Sequence, residues 1–328
     1  MQYIKISLLI FTGLAFGNTK ARLFNPKFST SQIRAYYPEL NINYTQNFKG
    51  ELNVSKSNKK KTILKNSNPD VLYIVSSDND KIVGIEKIEN FSRELNFRKL
   101  STLYYTKNGD SSVTELGKGV SLSIHLNGEY ASFYHPVKKE IIIQGIKDFS
   151  VKKIKLKNVW NPYFYPTIIM NYSKDVIYNE YADDGKMRIS KFNLRTNKKS
   201  ILLRSKSIKR RFDFCIHHSN EMIYILNSSI DTLNSLPTFI TTINGEQIYK
   251  TDYKITGKLI CYKDSLFFSQ EKTKITNDEE YKYTLRGYEF KNSKLLQLYT
   301  SQYQINLFKQ GNTVYFHNNK NIYELYKK

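Results

Sequence analysis

The side chains able to do chemistry are scattered, with no diagnostic spacing among them. The five histidines, His125, His135, His217, His218 and His317, show neither a zinc-ligand interval nor the company of a nucleophilic triad. No Gly-x-Ser-x-Gly elbow surrounds a serine, and no glycine-rich phosphate loop occurs. Carboxylates gather in short runs: Asp78 and Asp80, Asp183 and Asp184, Asp231, and Asp278 with Glu279 and Glu280. Paired acids could cleave a glycosidic bond, and Asp78-Asn79-Asp80 could open a calcium loop. Asp and Asn are also the ordinary residues of turns, and that is the reading adopted here. No catalytic residue, metal site or cofactor is expected.

Bases and aromatics form the second grouping. Lys152, Lys153, Lys155 and Lys157 lead into Trp160-Asn161-Pro162-Tyr163-Phe164-Tyr165-Pro166. Lys198, Lys199, Arg204, Lys206, Lys209, Arg210 and Arg211 follow at the corresponding place further on, and Lys56, Lys59, Lys60, Lys61 and Lys65 cluster earlier. Cations beside exposed rings suit an acidic glycan, a lipopolysaccharide headgroup or an acidic protein surface. Lysines on outer strands also serve to block edge-to-edge pairing. The candidate binding residues are Lys152, Lys153, Lys155, Trp160, Tyr163, Tyr165, Asp183, Asp184, Lys209, Arg210 and Arg211. The formal charge of +22 favours anionic partners.

The elements that would carry these residues read as strands. Tyr, Phe, Ile and Val suit half-buried pleated surfaces, and aromatics reach 14% of the 328 residues. Short apolar runs follow turn residues at Asp70, Gly128, Asp175, Glu221, Asp264 and Asn312. The intervals are 58 and then 47, 46, 43 and 48 residues, the first implying an insertion near residues 90–115. An aromatic stands three residues after the turn at Tyr73, Tyr178, Tyr224, Phe267 and Tyr315, with Ala131 as the exception. Further turns, such as Asn244-Gly245, divide each repeat into four short strands. Four antiparallel strands per repeat predict an all-β fold, a six-bladed β-propeller. Seven blades result if the roughly forty residues between the N-terminal apolar stretch and the first repeat hide a degenerate repeat. The last repeat ends after a third strand at Ile322–Tyr326, and Leu40–Tyr44 or Glu51–Val54 could supply the fourth and close the ring.

Cys215 and Cys261 stand 46 residues apart, one repeat. Equivalent positions on neighbouring blades are expected to lie beyond the roughly 7 Å between Cα atoms that a disulfide tolerates. Both are therefore expected to be small buried hydrophobes.

At the N-terminus, Lys5 precedes an apolar run from Ile6 to Phe16, short for a bilayer span and right for a signal sequence. Small residues place cleavage after Gly17 or Ala21. This predicts a signal peptide at 1–21, one propeller domain at 22–328, and a periplasmic or secreted monomer without a transmembrane span after cleavage. Nucleic acid is not an expected physiological partner.

The stretches Ser121–Tyr134, which contains Asn127-Gly128-Glu129-Tyr130-Ala131, and Asp183–Leu194, which contains Asp183-Asp184-Gly185-Lys186, resemble the repeats of the TolB-like, WD40-like (PD40) propellers. The resemblance covers roughly residues 60–328, although no full Ser-Pro-Asp-Gly motif occurs. It implies a six-bladed periplasmic ring that binds other proteins. The expected function is an exported non-enzymatic scaffold that binds a protein or an anionic envelope component through one loop face. The alternative is a hydrolase or lyase acting on an acidic polysaccharide.

Overall fold

The computed structural model describes residues 19–24, 33–37, 40–57, 59–65, 70–76, 81–89, 100–157, 165–217, 221–229, 237–271, 282–310, 313–318 and 322–327. Apart from 3-10 residues at 40 and at 126–128, their regular structure is all strand. Strand β1 (Thr19–Phe24) stands alone in sequence. A first sheet holds β2 (Ile33–Tyr37), β3 (Ile42–Gln46), β4 (Leu52–Lys56) and β5 (Lys59–Leu64) in chain order. A seven-stranded sheet follows, with β6 (Val71–Ser76), β7 (Ile82–Glu89), β8 (Ser101–Lys107), β9 (Thr114–His125), β10 (Tyr130–His135), β11 (Glu140–Gly145) and β12 (Val151–Lys155). Next come β13 (Ile168–Met170), β14 (Asp175–Tyr181), β15 (Met187–Asn193) and β16 (Lys199–Arg204). The fourth sheet contains β17 (Arg210–Ile216), β18 (Ile223–Ser229), β19 (Thr238–Thr242) and β20 (Gln247–Thr251). The fifth contains β21 (Lys254–Tyr262), β22 (Ser265–Glu271), β23 (Tyr283–Glu289) and β24 (Lys294–Ser301). The last contains β25 (Asn306–Gln310), β26 (Thr313–His317) and β27 (Ile322–Lys327), with β1 beyond β27. Every pairing is antiparallel.

Burial along the strands follows from their place in each sheet. The second strands β14 and β22 are buried almost throughout because both their faces are covered. The outermost strands β5, β12 and β16 begin with three exposed residues each. Their lysines occupy the rim. The core lies in slabs between consecutive sheets and, within the seven-stranded sheet, between its two halves. Tyr44 and Val54 pack with Tyr73 and Ile85, Leu103 with Leu122 and Phe133, and Tyr134 and Ile143 with Met170 and Tyr178. Further on, Ile177 and Ile189 meet Phe212 and Phe214, Leu226 and Ile240 meet Leu266 and Phe268, and Phe267 and Leu285 meet Val314 and Phe316. Innermost strands also touch their neighbours: β2 meets β6 and β25, β17 meets β21, and β21 meets β25.

Strand β9 serves two four-stranded units. Its first half pairs with β8 and its second half with β10. Gly119 sits at the change of partner. A Cβ there would stand 2.5 Å from the Phe133 ring and 2.9 Å from the Tyr134 carbonyl oxygen, so only glycine allows the approach.

Three expectations shift. Second strands begin at residues 42, 82, 130, 175, 223, 265 and 313, giving intervals of 40, 48, 45, 48, 42 and 48. The interval of 58 was therefore a slip of phase, because Asp70 precedes a first strand, β6, whereas the other turns precede second strands. Tyr73 accordingly sits on an innermost strand, and Tyr44 on β3 is the buried aromatic that matches Tyr178, Tyr224, Phe267 and Tyr315. Leu40–Tyr44 and Glu51–Val54 do not add to the last sheet; they belong to a sheet of their own, and the strand pairing with β27 is β1, from Thr19↔Lys327 to Phe24↔Ile322.

The cysteines correct the remaining expectation. Cys215 and Cys261 are joined in a disulfide with their Cα atoms 5.6 Å apart. They lie on β17 and β21, the innermost strands of adjacent sheets. Radially splayed sheets diverge outward and converge at their inner edges, so the separation expected between equivalent positions does not hold there.

Candidate functional site

Chain direction alternates along each sheet, so the connections from second to third strands and from fourth strands to the next sheet emerge at the same end. These connections form one loop face. On it, five described tips carry an exposed apolar residue: Phe48, Val137, Ile208, Tyr253 and Tyr303. Phe48, at 88% exposure, is the most exposed of them. Each tip is tied by a local side-chain hydrogen bond. Asn47 Oδ1 accepts the N–H of Lys49 at 3.0 Å. His135 Nδ1 accepts that of Lys138 at 3.2 Å. Ser205 Oγ and Ser207 Oγ accept those of Ser207 and Lys209 at 3.2 and 3.1 Å. Thr251 Oγ1 accepts the N–H of Tyr253 at 3.0 Å, and Ser301 Oγ that of Tyr303 at 2.9 Å. Such turns fix the tips before any partner arrives.

Charge on this face is mixed locally and basic in sum. Asp183 and Asp184 occupy the exposed turn from β14 to β15. Asp184 Oδ2 lies 3.0 Å from Arg204 Nη2 and 3.3 Å from Lys186 Nζ. Desolvation raises the pKa of its carboxyl, but the Lys186 amide and the Arg204 and Lys186 side chains outweigh this and hold it below the ordinary value. Lys209 is exposed on the connection into β17, and Arg211 is exposed at the second residue of that strand. Arg210 is committed elsewhere: its guanidinium donates to the Pro237 carbonyl at 2.6 Å and lies 5.4 Å from the Phe239 ring centre.

The other candidates are dispersed. Lys152, Lys153 and Lys155 run along the outer rim on β12, and Lys152 Nζ donates to Asn197 Oδ1 at 3.2 Å, at the end of the sheet opposite the loop face. Tyr165 is half-buried beside Tyr134. Trp160 and Tyr163 lie outside the described residues, as do Asp78, Asp80, Asp231, Asp278, Glu279, Glu280 and His218. The structure thus brings Asp184 to a pair of bases but leaves the β12 lysines apart from it. The sequence reading overlooked Phe48, Val137, Ile208, Tyr253 and Tyr303. A usable signal was present in Thr251-Asp252-Tyr253 and Ser301-Gln302-Tyr303, and in the dipeptides Phe48-Lys49, Val137-Lys138, Ile208-Lys209 and Tyr253-Lys254.

Beneath the loop face lies a buried charged cluster. Glu180, fully inaccessible at the end of β14, accepts from Ser190 Oγ at 2.5 Å, Arg188 Nε at 3.0 Å and Lys199 Nζ at 2.6 Å, all through Oε1. Its Oε2 has no hydrogen-bond partner. Burial alone would raise its pKa; the hydrogen bonds from Lys199, Ser190 and Arg188 overcome that and keep it below the usual carboxylate value. Gln270 repeats the arrangement on β22, accepting from Arg286 Nε at 2.7 Å and Tyr249 Oη at 3.0 Å. Glu180 is held through Oε1 by its own sheet, whereas Gln270 also ties its sheet to β20 through Tyr249 and Thr251.

Among the described residues no three His, Cys, Asp or Glu side chains gather to hold a metal ion, and no helix is long and apolar enough to cross a membrane.

No family model matches the chain, and no curated protein matches it. Solved structures do. The tricorn protease is similar with a TM-score of 0.57 and 11% identity over 88% of this chain, which spans only 32% of that protein. A chain of the mitotic checkpoint complex is similar with a TM-score of 0.55 and 9% identity, covering 93% of this chain and 98% of that one. An oligogalacturonate lyase in complex with manganese is similar with a TM-score of 0.53 and 9% identity, covering 86% and 82%. Likeness at such identities speaks to the fold alone, which is all-β and propeller-like.

Proposed function

We propose that this chain is an exported, non-enzymatic propeller that holds an anionic envelope partner on its loop face. One observation carries the reading: fixed apolar tips recur around that face, each tip but Tyr303 followed directly by an exposed lysine. A repeat scaffold lends itself to presenting such tips together, since function in these architectures resides in loops of one face.

Two structural inferences accompany it. The separate sheet at residues 33–64 and the shared strand β9 support seven blades in place of six, and the β1–β27 pairing with the β2–β25 contact supports a closed ring. Export is supported by the apolar run at 6–16 together with the disulfide, which persists in oxidising compartments. Because β1 begins at Thr19, cleavage after Gly17 keeps the closing strand whole, whereas cleavage after Ala21 removes half of it.

The test uses the mature chain immobilised over solubilised native envelope. Retention of a saturable partner, lost with increasing salt and with Lys49→Glu, Lys138→Glu and Lys254→Glu combined, is the expected outcome. Catalytic turnover of an acidic polysaccharide by the purified chain, with no saturable retention, would remove this proposal.

A further inference from the structure

The two ends of the sheets differ in a way that narrows the partner. Both ends expose single apolar residues, and scattered exposed apolar residues are normal. On the loop face the residues after them are Lys49, Lys138, Lys209, Lys254 and Gln304; on the opposite end, Leu40, Phe149 and Tyr172 are followed by Asn41, Ser150 and Ser173. The lysine is therefore coupled to the apolar tip on one face only. Among the described residues the acids in the same set of connections are Glu51, Asp70, Asp183, Asp184 and Asp252, and Asp184 is neutralised by Lys186 and Arg204.

From this coupling we propose that the loop face docks on a bilayer containing anionic lipid. This rests on the loop face being the binding face. A lipid surface offers an apolar layer directly beneath a plane of phosphates. A tip that pairs an exposed Phe, Ile or Tyr with an adjacent lysine meets both layers at once, the ring or branched chain entering the interface and the ammonium staying with the phosphates. Tyrosines favour that boundary for the same reason. The tips are spread over connections of five units on one side of the molecule, so a planar target engages them together. A glycan chain would need aromatic platforms, and Val137 and Ile208 offer none. The formal charge of +22 supplies the long-range attraction to an anionic leaflet.

The experiment sediments the purified mature chain with vesicles of phosphatidylcholine, with and without a minority of phosphatidylglycerol. Two variants keep the charge unchanged: one carries Phe48→Ser, Val137→Ser, Ile208→Ser, Tyr253→Ser and Tyr303→Ser, and the other carries Leu40→Ser, Phe149→Ser and Tyr172→Ser. All eight positions are exposed, and circular dichroism with an intact disulfide verifies the fold of each variant. The expected result is partitioning onto phosphatidylglycerol vesicles that falls roughly tenfold or more in the first variant and is unaltered in the second. In a Trp160→Phe background, Phe48→Trp is expected to be quenched by lipids brominated along the acyl chain. Absence of partitioning, equal partitioning of wild type and first variant, or an unquenched Trp at position 48 would overturn the docking. If the same face instead retains a soluble polyanion such as polygalacturonate while ignoring vesicles, bilayer docking fails and the broader reading of the face stands.

Discussion

Glu180 shows how a charge can be kept inside this fold. An ionised carboxylate with no access to water is costly unless it is paired and hydrogen-bonded. Here three donors from the next two strands converge on Oε1. Glu180→Gln keeps the shape and the Ser190 contact but leaves Arg188 and Lys199 without their counter-charge. The loss expected is about 2 kcal/mol at neutral pH, tempered by the partial exposure of both bases. The sign with pH follows from the lowered folded-state value. Stability contributed by Glu180 is complete above the ordinary carboxylate range and disappears as pH falls through the folded-state value, because the unfolded chain takes up the proton first. Denaturant midpoints for wild type and variant should therefore converge on acidification. A gap that stays constant down to the acid range would show that Glu180 is not ionised in the native state.

At the scale of the element, the disulfide joins the innermost strands of two consecutive sheets and closes a 46-residue loop, for which chain entropy alone gives about 4 kcal/mol. Replacing both cysteines by serine is expected to cost about 2–4 kcal/mol, read from denaturant midpoints, and reduction of the wild type should reproduce the loss. Equal midpoints with and without reductant would mean that the thiols are not joined. This bond was not legible in the sequence. Its 46-residue spacing marked equivalent positions, but their radius from the centre decides whether the Cα atoms approach, and nothing local encodes radius. The strands themselves were legible where turn chemistry was strong, as at Asn244-Gly245 and Asp183-Asp184-Gly185. The first repeat was misread in phase because Asp70 precedes an innermost strand with the same turn-then-apolar pattern as the second strands. The sheet at 33–64 is legible only as a possible degenerate repeat, because two of its strands also suit the role of a closing strand for the last repeat. The loop-face tips were visible only as isolated apolar residues, since their common side of the molecule follows from strand direction, which a linear reading of composition does not track.

For the whole molecule, the decisive contact is between the chain's two ends. Six residue pairs join β1 to β27. Without β1, the Ile322–Lys327 strand would present an unpaired edge, which invites association with other chains. Deleting residues 19–24 is expected to cost roughly 3–5 kcal/mol, counting the ladder at about 1 kcal/mol or less for each net hydrogen bond. Thermal unfolding should shift down, and light scattering should report concentration-dependent oligomers formed through the bared edge. A synthetic peptide spanning residues 18–24, added in trans, should restore both the melting temperature and the monomer, because strand addition to an open edge supplies the same backbone hydrogen bonds. The peptide arm separates closure from simple loss of chain. A truncated chain that melts like the intact one and ignores the peptide would mean that the ends do not share a sheet. The sheet of β25, β26 and β27 would then end at Ile322–Lys327, and the proposal that the strands close into a ring would lose the pairing it rests on.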